Sequence, residues 1–474
     1  MKKEEFERWS REATRWSAEY LNTIDQFPVR AQTQPGDIAA QIPASAPDDA
    51  ESMESIMADF EHIIPAGMTH WQHPRFFAYF PSNAAPAAMI AEQLATSMAA
   101  QCMLWQTSPS ATELEQRMVQ WLRQAVDLPD TFDGVFQDTA SSATLCAILT
   151  MRERKLNWQG NEQGLSGQPQ LRVYASSRTH SSIDKAMWIA GLGQNNLVKI
   201  DTDDDYALKA DALEQAIEED LAAGRQPAGI VICVGGTSMG ATDRVREVCE
   251  IAKRYDLFTH VDAAWAGSAM ICPEYRPLWD GIELADSVVL NPHKWLGASM
   301  ECSAHFIKDP ASLVRTMAIQ PEYLKTYGQD GIVNFSEWGV QLGRRFRALK
   351  VWFLLRAYGL NGLRTMIRNH VEWSVRLAKQ LEAEADFTVT TQPILSLFTF
   401  RYTPNAVTQP DALGALNKKL VTALNDDGRI YLTQSLHDGE VVIRFMTGQF
   451  DMEEKDIDIA FEVITEVARA LPVQ

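Results

Sequence analysis

The chain has 474 residues, 46% of them hydrophobic and 22% charged, with a formal net charge of -19. This is the composition of an ordinary folded protein with room for two or three domains. Its acidity excludes nucleic acid and anionic membrane surfaces as partners, because both demand clustered Lys and Arg, and leaves small molecules or further subunits.

The opening stretch, MKKEEFERWSREATRW, is basic only in its first residues and then amphipathic, without the apolar core of a secretion signal. No later run approaches the roughly 18 uninterrupted apolar residues of a membrane span. Residues 1–85 read as an N-terminal helical segment, broken by IPASAPDDAESM and followed by the aromatic string HWQHPRFFAYFPSN. From 86 to 360, short β-branched runs alternate with helical stretches, which predicts a large α/β domain with a mostly parallel sheet and helices on both faces. The runs are GVFQDT, LRVYASS, NLVKI, GIVICVGG, LFTHVDAAW, SVVLNPH and CSAHFIK. Residues 361–474 predict a small C-terminal α+β domain: a helix pattern, the strand patterns FTVTT, LSLFTFRY and EVVIRFMTG, and a closing helix. The cysteines at 102, 146, 233, 249, 272 and 302 form no CxxC pair and lie mostly in apolar runs, which predicts buried reduced thiols in a cytoplasmic protein.

Open parallel sheets bind ligands at the carboxyl ends of their strands. In QDTASSATL, Thr139, Ala140 and Ser141 leave a strand and open a helix, whose free N–H groups suit a phosphate. Alone, a Ser/Thr helix cap explains them as well. In SSRTHSS, His180 opens the next helix. VGGTSMGATD fits a GxSxG nucleophile elbow at Ser238, and nearly a phosphate-binding P-loop, but Ala241 stands where the lysine belongs. A hydrolase would need an acid and a base from Asp286 or Glu283 with His305, His370 or His437, none in a recognisable setting. No GxGxxG follows a strand and no HExxH appears, so neither a nicotinamide dehydrogenase nor a catalytic metal is expected.

Asp262 ends one apolar run, and Lys294, between His293 and Trp295, ends the next. A carboxylate and an ammonium among apolar neighbours need partners or chemistry. Together with a phosphate-ready helix start and a flat-ringed histidine, they are the parts required by pyridoxal 5'-phosphate. Lys294 would form the Schiff base, Asp262 would keep the pyridine nitrogen protonated, His180 would stack on the ring, and residues 139–141 would hold the phosphate.

With these residues in place, the sequence resembles the pyridoxal-phosphate group II decarboxylases, and among them the aromatic-L-amino-acid decarboxylases. The likeness is carried by FFAYFPSNAAPAAM, SPSATELE, QDTAS, THSSIDKA, HVDAAWAGSAMICPEYRP, NPHKWLG, PEYLKT and LGRRFRALKVWFLLRAYGLNGL. It implies the type I pyridoxal-phosphate fold and a homodimer with active sites at the subunit interface, the N-terminal segment embracing the partner. It also implies Thr237 and Ala264 beside the cofactor, and Asn291 and His293 near its phosphate. Tyr323, in QPEYLKTYG, matches the loop tyrosine that reprotonates Cα. Trp71, Tyr79, Phe80 and Pro81 of one subunit, with Gln101 and Met103 of the other, His180, and Gly343, would bind the substrate. Related aldehyde-forming enzymes carry Phe at the loop position or Asn at the stacking one, so Tyr323 and His180 favour an amine product over aldehyde formation. Gln101 and Met103 depart from the apolar or aromatic residues usual on that wall, and Ser142 stands where Glu often follows the phosphate motif. A cofactor-binding protein without catalysis on the same fold is a further alternative.

Overall fold

A computed structural model describes residues 2–319 and 331–472. The chain forms two compact units, one of Ser82–Glu372 and Pro393–Leu397, the other of Met1–Pro81, Trp373–Gln392 and Phe398–Gln474.

In the first unit the seven β-branched runs become the seven strands of one sheet. They are β1 (Asp133–Gln137), β2 (Leu171–Ser176), β3 (Leu197–Ile200), β4 (Gln226–Cys233), β5 (Phe258–Asp262), β6 (Ser287–Leu290) and β7 (Ser303–Ile307), in the order β1-β7-β6-β5-β4-β2-β3. Pairing is parallel from β3 through β2, β4 and β5 to β6. Strand β7 runs antiparallel to both of its neighbours, β6 and β1, so β1 points the same way as β6. Every residue of β6 and β7 is buried, as is all of β4 after Gln226. Helices on both faces leave such strands no solvent side, hence their continuous rather than alternating apolar pattern.

The consequence for function is directional: β1, β2, β4, β5 and β6 all end at one edge of the sheet. The helix Ala140–Lys155 starts there, capped by Thr139, and ends at the opposite edge with Arg152, Arg154 and Lys155, where cations offset its dipole. It packs Cys146, Ala147, Ile148 and Met151 into a core shared with Val173, Val231 and Phe258. Farther on, Arg347–Ala383 is two helices joined at Gly359, whose φ of +62° interrupts the helical hydrogen bonds and favours glycine.

The second unit is built on a four-stranded sheet ordered β10-β11-β9-β8, from β8 (Phe387–Ile394), β9 (Leu397–Tyr402), β10 (Thr433–His437) and β11 (Glu440–Met446). Phe398, Phe400, Phe445, Leu420, Ile457 and Ile464 form its core. Strand β10 has no counterpart among the sequence patterns: TQSLH alternates between half-buried and exposed residues at the sheet edge and buries none fully. Among the described residues, no helix is long and apolar enough to cross a membrane. All six cysteines are free and buried.

Candidate active site

The predicted cofactor residues converge on the carboxyl edge of the large sheet. Helix Ala140–Lys155 opens right after β1, with Thr139 extended at φ -137° and its Oγ1 accepting from Ser142 N–H at 3.4 Å. Ala140 and Ser141 occupy its first two positions, where no i-4 carbonyl exists to take their N–H groups. Asp138 secures the approach: Oδ1 accepts from Thr139 N–H at 2.6 Å, and Oδ2 accepts from Gln341 Nε2 at 2.9 Å.

Past β6 the chain turns sharply. Asn291 N–H donates to Ala264 O at 2.9 Å and Lys294 N–H to Asn291 O at 3.0 Å. Asn291 Oδ1 accepts from Ser303 Oγ at 2.5 Å, and His293 Nδ1 lies 2.7 Å from Cys302 O. Burial, then the nearby Lys294 ammonium, pushes the His293 pKa down to about 4. Lys294 is half-buried between the fully enclosed His293 and Trp295. Asn83 Nδ2 donates to its carbonyl at 3.1 Å. Trp295 stacks on Trp265 at 5.2 Å and donates from Nε1 to His370 Nδ1 at 2.9 Å, so the residue after the lysine is held on two sides.

Asp262, the last residue of β5, is half-buried; its Oδ1 accepts from Ala264 N–H at 3.1 Å. Among the described residues it has no ion-pair partner. His180 follows β2, with its ring exposed. Ser182 N–H donates to its Nδ1 at 3.1 Å, which leaves the proton of a neutral ring on Nε2. Desolvation lowers the His180 pKa, Asp262 opposes that shift and Lys294 adds to it, so all three groups share one electrostatic neighbourhood. Thr237 lies in the turn after β4.

These residues fit pyridoxal 5'-phosphate. The half-buried carboxylate suits a protonated pyridine nitrogen, the exposed imidazole suits a ring, and the helix start suits a phosphate. Lys294 stands at the same edge, where its amine would hold the aldehyde.

Ser238 is not a nucleophile elbow. It lies in a turn, with the next helix beginning only at Val245, and the candidate bases are engaged elsewhere. His305 Nε2 pairs with Ser287 Oγ at 2.8 Å, and His370 accepts from Trp295.

The predicted substrate residues fall into both units. In the smaller one Trp71 stacks on Tyr79 at 5.6 Å, and Tyr79 meets Tyr431 edge-on at 6.2 Å. Phe80 is buried beneath the Arg444 guanidinium, 4.6 Å away, and Pro81 is buried beside it in the chain. In the larger unit, Gln101 Oε1 accepts from Arg344 N–H at 2.8 Å, and Met103 O accepts from Ser336 N–H at 3.0 Å. A Cβ added to Gly343 would lie 3.2 Å from Gln101 Nε2. Tyr323 lies outside the described residues.

Several supports escaped the sequence reading. Arg344 is buried and reaches Glu115 Oε1 at 2.6 Å, Phe136 O at 2.9 Å and Cys102 O at 3.4 Å. It thereby ties the segment around Gly343 to β1 and to residues 101–103. Asp138 with Gln341, Ser303 with Asn291 and His370 with Trp295, at separations of 203, 12 and 75 residues, are further supports that no local pattern announces.

A mostly parallel sheet with a lysine, an aspartate, a histidine and a helix start along one edge defines a type I pyridoxal-phosphate fold. The pyridoxal-dependent decarboxylase conserved domain matches residues 35–403. Tyrosine decarboxylase 4 of Petroselinum crispum is 37% identical over 481 residues, covering 99% of this chain and 94% of the relative. Oryza sativa TDC with PLP and tryptamine superposes with a TM-score of 0.96 at 32% identity, over 99% of this chain and 98% of that one. Rhodiola rosea 4-hydroxyphenylacetaldehyde synthase gives 0.92 at 31% identity, over 100% of both chains. The chain belongs to the pyridoxal-dependent decarboxylases; it is a carboxy-lyase whose cofactor is pyridoxal 5'-phosphate.

Proposed function

We propose that the protein decarboxylates an aromatic L-amino acid to the corresponding arylalkylamine and carbon dioxide. The observation that carries this reading is the shared neighbourhood of Asp262, His180 and Lys294 at the edge where the helix Ala140–Lys155 starts. Bound pyridoxal 5'-phosphate supplies an electron-withdrawing ring that accepts the electron pair released at Cα as carbon dioxide leaves. Asp262 would stabilise the protonated ring nitrogen, Lys294 would hold the cofactor through its aldehyde, and His180 would lie against the ring. Thr139, Ala140, Ser141, Asn291 and His293 surround the phosphate, with Thr237 and Ala264 beside the ring. Tyr323 returns a proton to Cα.

An aromatic side chain is favoured by the relatives and by Trp71, Tyr79 and Phe80, since ring pairs add about 0.5–1.5 kcal/mol beyond burial. Gln101 and Met103, from the other subunit, and Gly343 are the further substrate residues of this reading. The resemblance to an aldehyde synthase sustains a second reading, decarboxylation with oxidative deamination. A panel of aromatic amino acids, with carbon dioxide, amine and oxygen followed together, separates the two. Amine matching carbon dioxide without oxygen uptake is expected; stoichiometric oxygen uptake with hydrogen peroxide refutes amine formation. Tyr323→Phe should suppress the amine while cofactor absorbance persists, and full amine yield from it removes the proton-donor role.

The working form we propose is a cytoplasmic homodimer with domains at 1–85, 86–360 and 361–474, the first embracing the partner. Helix Lys3–Thr23 supports this: it buries none of its own residues, although it carries Phe6, Trp9 and Trp16. Light scattering showing a monomer at working concentration would refute it.

A further inference from the structure

At the opposite edge of the large sheet, about 13 Å from Asp262 along the length of β5, lies a cavity of about 550 Å³. Its floor is Met151, Ala228, Leu257 and Phe258, and its walls carry Arg154, Lys155, Lys253 and Lys308. The volume falls within the usual range of small-molecule sites. In a chain of net charge -19, this convergence of cations is unexpected.

Ion pairing does not account for it. Among the described residues, Lys155, Lys253 and Lys308 have no carboxylate within ion-pair distance, and Lys308 Nζ stands 5.4 Å over the Phe132 ring. Arg154 is only loosely paired, 3.8 Å from Asp286 Oδ1. Asp286 Oδ2 is committed to β5, accepting from Thr259 N–H at 2.8 Å and Thr259 Oγ1 at 3.1 Å. The other lining carboxylates, Glu250 and Asp256, are exposed, where solvent and salt screen them. Helix dipoles explain part of the pattern: Lys155 and Lys253 sit in the last turns of Ala140–Lys155 and Val245–Arg254. They do not explain Lys308, which follows β7 and lies at no helix C-terminus, nor why cations from three elements face one cavity.

We propose that this cavity binds a small phosphate-bearing organic anion, its phosphate held by Lys155, Lys253, Lys308 and Arg154 and its apolar part resting on Leu257 and Phe258. Lysine ammoniums act as point charges on a phosphate, and the Arg154 fork adds a two-pronged contact. The site binds without reacting: its one thiol, Cys249, is buried, and that burial pushes its pKa up to about 12.

The test uses the holoenzyme, so that the cofactor fills the phosphate cradle at Thr139. Inorganic pyrophosphate titrated calorimetrically at low salt should bind saturably. The triple variant Lys155→Ala/Lys253→Ala/Lys308→Ala should weaken it by about tenfold or more. Lys418→Ala/Lys419→Ala, on the helix Pro410–Asp427, should leave it unchanged. Cofactor absorbance and decarboxylation should be retained in both variants. No saturable binding up to about 10 mM, or equal affinity in the triple variant, overturns the proposal. If the triple variant does not fold, tungstate soaked into wild-type crystals decides: an anomalous peak among the three ammonium groups supports the site, and its absence there overturns it.

Discussion

Glu115→Leu tests how the 101–103 and 343 segments are held. Glu115 and Arg344 are both buried, and Glu115 Oε1 also accepts from Phe136 N–H at 2.9 Å. Among the described residues, removing the carboxylate leaves the enclosed guanidinium with the carbonyls of Phe136 and Cys102 as hydrogen-bond acceptors and the Phe335 ring 5.1 Å away. Stranding one partner of a buried pair costs about 3–5 kcal/mol, whereas replacing both with apolar groups is often close to neutral. The single variant should therefore lose about 5–10 °C in thermal midpoint, and Glu115→Leu/Arg344→Leu should recover part of that loss. Arg344 N–H also fixes Gln101, so under the proposed substrate wall the single variant should raise KM for an aromatic amino acid more than it lowers kcat. Scanning calorimetry and steady-state kinetics on Glu115→Leu, Arg344→Leu and the double variant supply the measurements. A double variant as unstable as the sum of the two single losses would refute the reasoning, because the pair would then not be coupled.

Acid should destabilise the protein. Burial lowers the His305 pKa from 6.5 to about 4, so below pH 6.5 the unfolded chain takes a proton that the native state refuses. Stability from this group is complete above about 6.5 and falls by about 3 kcal/mol on reaching pH 4, so urea midpoints should drop over that window and His305→Phe should flatten the slope. Trp295→Phe removes the donor to His370 and should cost about 1–3 kcal/mol; a cycle with His370→Phe, read by thermal midpoint, should show coupling. Thr139→Val removes the side-chain cap of the helix Ala140–Lys155, costs about 1 kcal/mol, and should speed cofactor loss on dialysis. Asp262→Asn should keep the fold, measured by circular dichroism, and lose most turnover; a wild-type rate would remove its assigned role.

What the sequence determined by itself was local or consecutive. The β-branched runs from GVFQDT to CSAHFIK all became strands of one sheet, because a strand covered on both faces must be apolar throughout and declares itself without reference to its neighbours. Thr139 was legible as a cap because capping is settled within a few residues. The strand-end positions of Thr139, His180, Asp262 and Lys294 were legible because each ends or follows its own strand, and parallel strands bring their ends to one edge. Strand β10 was not, since an edge strand burying no residue fully carries no hydrophobic period.

Tertiary structure alone decided the rest. It reversed β7 and placed it between β1 and β6, brought Arg344 to Glu115 across 229 positions, and set His370 against Trp295. It also gathered Lys155, Lys253 and Lys308 around one cavity. None of these is written in periodicity or spacing, because a buried charge or an indole N–H is satisfied by whichever group the packed chain brings to it, however distant in sequence.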